Sequence, residues 1–272
     1  MGVSAARPPY LKQNWFGIEG SSERTGKFFD IPRKFLTKKV RSHPRIKYRN
    51  FFGGRESGIR SIILASKRKI FMSYSDFNTI GKVKQAFGLR TNEDVIFLPE
   101  IPPIAPSVTL ASFLEESLPV AVATGSEKAR SELIIAPVLL EVRKILKHQI
   151  SVFSGEDFTV DASIGLSGTC DFLISRSPEQ LEIEAPAIVI VEAKKADLKL
   201  GIGQCVAEMV AAQKFNEANS QPVSAIYGCV TSGSQWRFMK LEEQTVTIDF
   251  SDYPLPPVDQ ILGFLVWMVS QT

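Results

Sequence analysis

Cysteine and histidine are both scarce in this chain of 272 residues, which holds three of the first and two of the second. Cys170, Cys205 and Cys229 are odd in number and widely spaced, which excludes a disulfide framework and gives no zinc pattern. They fit buried thiols in a reducing compartment, so the cytoplasm is the expected location. Of the histidines, His43 lies in a basic stretch and His148 stands where a helix is expected to end, a favourable place for that side chain. A histidine-metal nuclease or a Ser-His-Asp hydrolase would need one of them. Long apolar runs are missing as well. Leu133 to Leu140 and Ile261 to Val269 are the longest, far short of the roughly 20 residues a membrane helix needs. No apolar stretch lies near Met1, so neither a secretory signal nor a membrane partner is expected. The phosphate loop Gly-x-x-x-x-Gly-Lys does not occur. Gly201-Ile202-Gly203 is a weak dinucleotide signal, because Val206 occupies the third glycine position of that fingerprint. Thr231-Ser232-Gly233-Ser234 reads as turn chemistry.

Acidic residues are rare in the first quarter of the chain. Residues 1–71 hold 17 Lys/Arg against 4 Asp/Glu, a balance of +13, and the remainder carries −10. The first part shows no sustained period, so it is expected to be a basic and flexible extension. Three readings of it stand: an arm for phosphate contacts, an organelle-targeting peptide, or an upstream extension ahead of Met72. Residues 72–272 are expected to form one α/β domain. Their hydrophobic residues recur with the periods of packed elements, and 44% hydrophobic content in the whole chain is ordinary for a globular protein.

Asp76 is a candidate cap for a helix ending at Phe87, with Gly88 as its stop. Residues 100–108 carry three prolines and read as a loop, followed by a short helix over Leu110 to Leu118. Ser126 to His148 is the longest helical pattern, with Pro137 expected to kink it. Glu132 and Glu141 flank its apolar arc, and helical geometry alone leaves either able to reach a site beside the sheet. Strands follow near 151–160, 168–175, 187–194, 223–230 and 235–240, with a further one from Thr245 to Phe250. A helix over 203–216 carries Gln204 and Glu208 on one stripe, and another closes the chain from Val258 to Val269. That last apolar run is a candidate surface for a homodimer.

The most informative stretch is Ile188-Val189-Ile190-Val191-Glu192-Ala193-Lys194-Lys195. An unalternating apolar run suggests a strand covered on both faces. Strand geometry turns Glu192 and Lys194 to the same side. An acid and a base at the end of a buried strand are costly to place there without a task. Asp171, on the preceding strand, lies within reach of Glu192 if the register allows.

Taken in order, a helix acid, Asp171, Glu192-x-Lys194 and the helix residue Gln204 resemble the PD-(D/E)XK, or restriction-endonuclease-like, nuclease superfamily. The resemblance covers roughly Ser126 to Lys240. It rests on Ser126-Glu127-Lys128-Ala129-Arg130-Ser131-Glu132, Gly168-Thr169-Cys170-Asp171, Glu192-Ala193-Lys194-Lys195 and Gly201-Ile202-Gly203-Gln204-Cys205. More narrowly, residues 72–272 resemble a family of small cyanobacterial proteins of this fold. One departure is Cys170, which stands where the superfamily's name has proline.

The resemblance implies a mixed central sheet flanked by helices and a metal-dependent endonuclease acting on nucleic acid, with DNA favoured over RNA. It implies that Asp171 and Glu192 bind Mg²⁺ or Mn²⁺, with the Ala193 carbonyl as a further ligand, and it selects Glu132 to complete the shell. Lys194 would act on the attacking water and the developing charge, supported by Gln204. The chemistry agrees, since carboxylates holding a hard cation serve phosphodiester hydrolysis. Two carboxylates 4 Å apart repel by roughly 4 kcal/mol at an effective dielectric of 20, a cost that a cation offsets. The competing expectation is a catalytically silent nuclease fold that binds nucleic acid as a scaffold.

Overall fold

A computed structural model of the chain describes residues 72–271. The expectations for residues 1–71 lie outside the described residues. The described part is α/β, a mixed eight-stranded sheet with helices on both faces.

The chain enters through a short turn of helix, Tyr74–Asp76, and then α1, Ile80–Phe87. Asp76 caps its own short turn, accepting from the Ser73 backbone N–H at 2.8 Å, and Thr79 caps α1 in its place. Gly88 ends α1 in the left-handed conformation, as the sequence predicts. The strand β1, Arg90–Val95, follows, and then α2, Val108–Thr124, which starts at Ser107 and runs on through Pro119, beyond the predicted end.

The long helical pattern is three pieces: α3, Glu127–Arg130; a π turn, Ser131–Ile135; and α4, Ala136–Ile145. The irregularity answers Pro137, which has no N–H to offer the carbonyl of Leu133. That carbonyl instead accepts from the buried Ser117 hydroxyl of α2 at 2.8 Å.

The remaining strands are β2, Ser151–Asp157; β3, Thr169–Ser175; β4, Ala187–Ala193; β5, Ile226–Thr231; β6, Gln235–Glu242; β7, Thr245–Asp249; and β8, Tyr253–Pro254. Between β4 and β5 runs α5, Lys199–Ala218, and α6, Asp259–Ser270, closes the domain. The sheet order is β1-β7-β6-β5-β4-β3-β2, with β8 beside β6. The pairs β1/β7 and β4/β5 are parallel and the others antiparallel.

All seven residues of β4 are buried, as a strand covered on both faces must be. Helices α2, α4 and α6 share one hydrophobic core with Val189, Val191 and Phe238. On the other face α1 and α5 share a second core with Ile190, Val230 and Met239. The run Ile261 to Val269 is consumed here. Ile261, Leu262, Leu265 and Met268 are fully buried, and only Val266 and Trp267 of the run are partly open to solvent. Asn216 of α5 clamps the start of β4, accepting from the Ala187 N–H and donating to the Ala187 carbonyl, both at 2.8 Å. Cys170, Cys205 and Cys229 are free and buried. No helix among the described residues is long and apolar enough to cross a membrane.

Candidate functional site

The parallel pair β4/β5 ends at one edge of the sheet, and the polar residues gather there. Open α/β sheets place their ligand sites at the carboxyl ends of such strands. In register, Glu192 stands beside Val230, and Val230 beside Arg237 of β6. On the other side Phe172 pairs with Val191, so one further step sets Asp171 opposite Glu192. The Asp171 carboxylate reaches onto β4, where Oδ2 accepts from the Ala193 N–H at 2.8 Å. The Lys194 N–H donates to the Thr231 carbonyl at 2.8 Å, so the backbone stays aligned one residue past the strand. Glu192 and Lys194 therefore share a face, the face that α5 covers.

Glu192 is fully buried. Its Oε1 accepts an ion-paired hydrogen bond from the Lys194 ammonium, and its Oε2 has no hydrogen-bond partner among the described residues. Burial pushes its carboxyl up to about 8, the charge of Asp171 adds to the rise, and Lys194 opposes it. Burial pulls the Lys194 ammonium down, but the charge and hydrogen bond of Glu192 outweigh it, and the net direction is up. Gly201 of α5 sits directly over this lysine. A Cβ there would meet Val230 at 2.7 Å and the Lys194 stem at 3.0 Å, so glycine lets the helix approach.

Gln204 lies on the same helix and donates from Nε2 to Glu208 Oε1 at 3.1 Å. Glu208 is fully buried, and its Oε2 has no hydrogen-bond partner among the described residues. Burial raises its carboxyl far above the ordinary range, and the charges of Glu192 and Asp171 push the same way. Glu208 thus forms a second acid layer behind Glu192. The sequence places it on the stripe of Gln204, but only the packing of α5 against β4 gives that stripe a meaning.

The structure does not bring Glu132 to the pair. Its side chain is 59% exposed and bonds Lys128 at 2.7 Å. Glu132 falls within the π turn, where the uniform helical phase is interrupted. Glu141 is occupied elsewhere, accepting from the Ser107 N–H and hydroxyl at 2.8 and 2.9 Å. The acid of this segment whose charge reaches both Glu192 and Lys194 is Glu127, in the first turn of α3. Arg130 anchors that turn over the end of β5, donating to the Ser232 carbonyl at 2.7 Å.

Among the described residues no three His, Cys, Asp or Glu side chains are gathered as a ready-made metal cage. The donors that stand together at the sheet edge are the carboxylates of Asp171 and Glu192, both hard oxygen ligands. Mg²⁺ characteristically takes one or two carboxylates and keeps several waters. The orphaned, buried Oε2 of Glu192 is a donor atom of that kind. No protein-family model and no curated protein matches the chain.

Proposed function

We propose that residues 72–272 form a restriction-endonuclease-like domain that hydrolyses phosphodiester bonds in nucleic acid, DNA foremost, with Mg²⁺ or Mn²⁺. The observation that carries this reading is the cross-strand pair Asp171–Glu192 with Lys194 on the same face, at the carboxyl end of a buried strand. Asp171, Glu192 and the Ala193 carbonyl are the residues that would hold the cation. When bound, it supplies charge neutralisation at the phosphate and a water acidified for attack. Lys194 is now tied to Glu192, and neutralising that carboxylate frees its ammonium to donate to the attacking water or to a phosphate oxygen. Glu208 holds the amide of Gln204 against the helix, which orients its carbonyl oxygen.

A second reading has its own support. Lys194 and Glu192 already satisfy one another, as in a nuclease fold that binds nucleic acid and cuts nothing. One assay separates the two. The purified full chain is incubated with single-stranded DNA, duplex DNA and RNA, with Mg²⁺, with Mn²⁺ and with EDTA. Metal-dependent cleavage that Lys194→Ala reduces by about 100-fold or more is the expected result. Cleavage unchanged in Lys194→Ala removes the lysine from the mechanism. Cleavage of no substrate leaves the scaffold reading.

A further inference from the structure

A cleft of about 640 Å³ opens at the same sheet edge, beside the row that carries Glu192. Arg237 lines it and stands two strands from Glu192, with Val230 between them. Strands lie about 4.8 Å apart, so the two backbones are separated by roughly 10 Å. The cleft therefore adjoins the proposed site of cleavage, and the inference rests on that reading.

Its walls have two characters. Leu200, Ile202, Ile248 and Phe250 are apolar. Phe250 is 71% exposed and Leu200 63%, large apolar groups that the core does not use. Lys199 and Arg237 are the basic groups of the lining. Arg237 is held in place through Nε, which donates to Asp252 at 2.6 Å. Its two terminal amino groups have no hydrogen bond among the described residues. An arginine fixed at one nitrogen and open at the other two is preorganised for a phosphate oxygen. Three carboxylates line the cleft as well, Glu93 and Asp94 from β1 and the buried Asp249 from β7, so a phosphate is accepted only in direct contact with Arg237 or Lys199.

We propose that this cleft receives one nucleotide of a single-stranded nucleic acid, next to the phosphodiester at Glu192 and Lys194. Arg237 takes the phosphate, and Phe250 with Leu200 takes the face of the base. A duplex hides its base faces by stacking, whereas a single strand offers them to an aromatic ring at little cost. Single strands are therefore the preferred substrate.

The test is equilibrium binding of the full chain to a short labelled oligonucleotide, single-stranded or annealed, in EDTA so that nothing is cut. Residues 1–71 are present in every variant, so the comparison is between proteins that differ only in the cleft. Phe250→Ala is expected to weaken single-strand binding about ten-fold and to leave duplex binding and the salt dependence unchanged. Arg237→Gln is expected to reduce the slope of log K against log salt by about 0.7, the contribution of one phosphate on a single strand. Single-strand affinity unchanged in Phe250→Ala, or lost equally for the duplex, overturns the proposal. So does an unchanged salt slope in Arg237→Gln. Because the readout needs no cleavage, the cleft stands if these effects appear in a protein that cuts nothing. It falls if they are missing from one that cuts.

Discussion

Asp171 Oδ2 accepts the Ala193 N–H at 2.8 Å, so a carboxylate of β3 closes the last backbone bond of β4. The bond fixes a negative charge beside the buried Glu192. Two acids are thereby held together by backbone geometry, with the Lys194 ammonium as the one partner shared between repulsion and neutrality.

Stability is expected to carry the signature of Glu192. Its carboxyl is raised from 4.5 to about 8, first by burial and then by Asp171. A raised carboxyl binds its proton more tightly in the folded state than in the unfolded one. Its contribution is therefore complete below 4.5 and is lost as pH rises through about 8. Relative to Glu192→Gln, the wild type should lose stability across that interval and run parallel to the variant above it. Urea denaturation at a series of pH values measures this. Parallel curves across the whole range would assign the proton to another group.

Cation binding should follow the same proton with the opposite sign. Glu192 must be ionised to serve as a ligand, so Mn²⁺ affinity is expected to rise up to about pH 8 and then level off. Asp171→Asn removes one carboxylate and should weaken binding roughly ten-fold or more. Paramagnetic titration of free Mn²⁺ gives both quantities. An affinity equal in Asp171→Asn would place the cation elsewhere.

The two acids of the preceding helix should behave differently. The charge of Glu127 raises Glu192. Glu127→Gln should therefore shift the Glu192 titration downward, read from the carboxyl carbon by NMR. Glu132 is committed to Lys128 in solvent, and Glu132→Gln should leave that titration in place. The reverse order would restore Glu132 as the neighbour of the pair.

Glu208 is buried, and that burial raises its carboxyl well above the ordinary range, which favours the protonated form. Glu208→Gln keeps the shape of a protonated carboxyl and should cost less than about 1 kcal/mol. Glu208→Ala empties space under α5 and should cost roughly 2–3 kcal/mol. Chemical denaturation of both variants checks the difference. Equal losses would mean that the carboxyl is ionised and specifically paired.

The glycines of α5 should rank by what stands above them. A Cβ at Gly203 meets the backbone of Phe77 and Thr79, which cannot move aside without shifting α1. A Cβ at Gly201 meets the side chains of Val230 and Lys194, which can. Gly203→Ala is expected to destabilise by about 3 kcal/mol, and Gly201→Ala by about 1 kcal/mol. Gly201→Ala should nonetheless impair cleavage through Lys194. Thermal denaturation beside the cleavage assay tests the ranking, and a milder Gly203→Ala would refute the packing of α1 on α5.

Hydrophobic period alone determined most of the framework. The run Ile188 to Val191 announces a doubly covered strand, and all of β4 is buried. The strands β2 to β7 and the helices α5 and α6 lie where alternation and the helical stripe put them, within a few residues at their ends. Arg90–Val95 escaped that reading because it is an edge strand with five polar or charged residues before its valine, placed by pairing with β7 and not by burial. The side-by-side order of Glu192 and Lys194 was also legible, since strand pleat fixes it locally. The partners across space were not. Asp171 meets β4 because of an interstrand register, Glu208 backs Glu192 because Gly201 lets α5 approach β4 and β5, and the charge of Glu127 reaches the pair while Glu132, in the π turn, bonds Lys128 in solvent. Period is a property of neighbouring residues, which the sequence prints. Register, approach and phase are set by contacts between distant segments, and only the packed chain decides them.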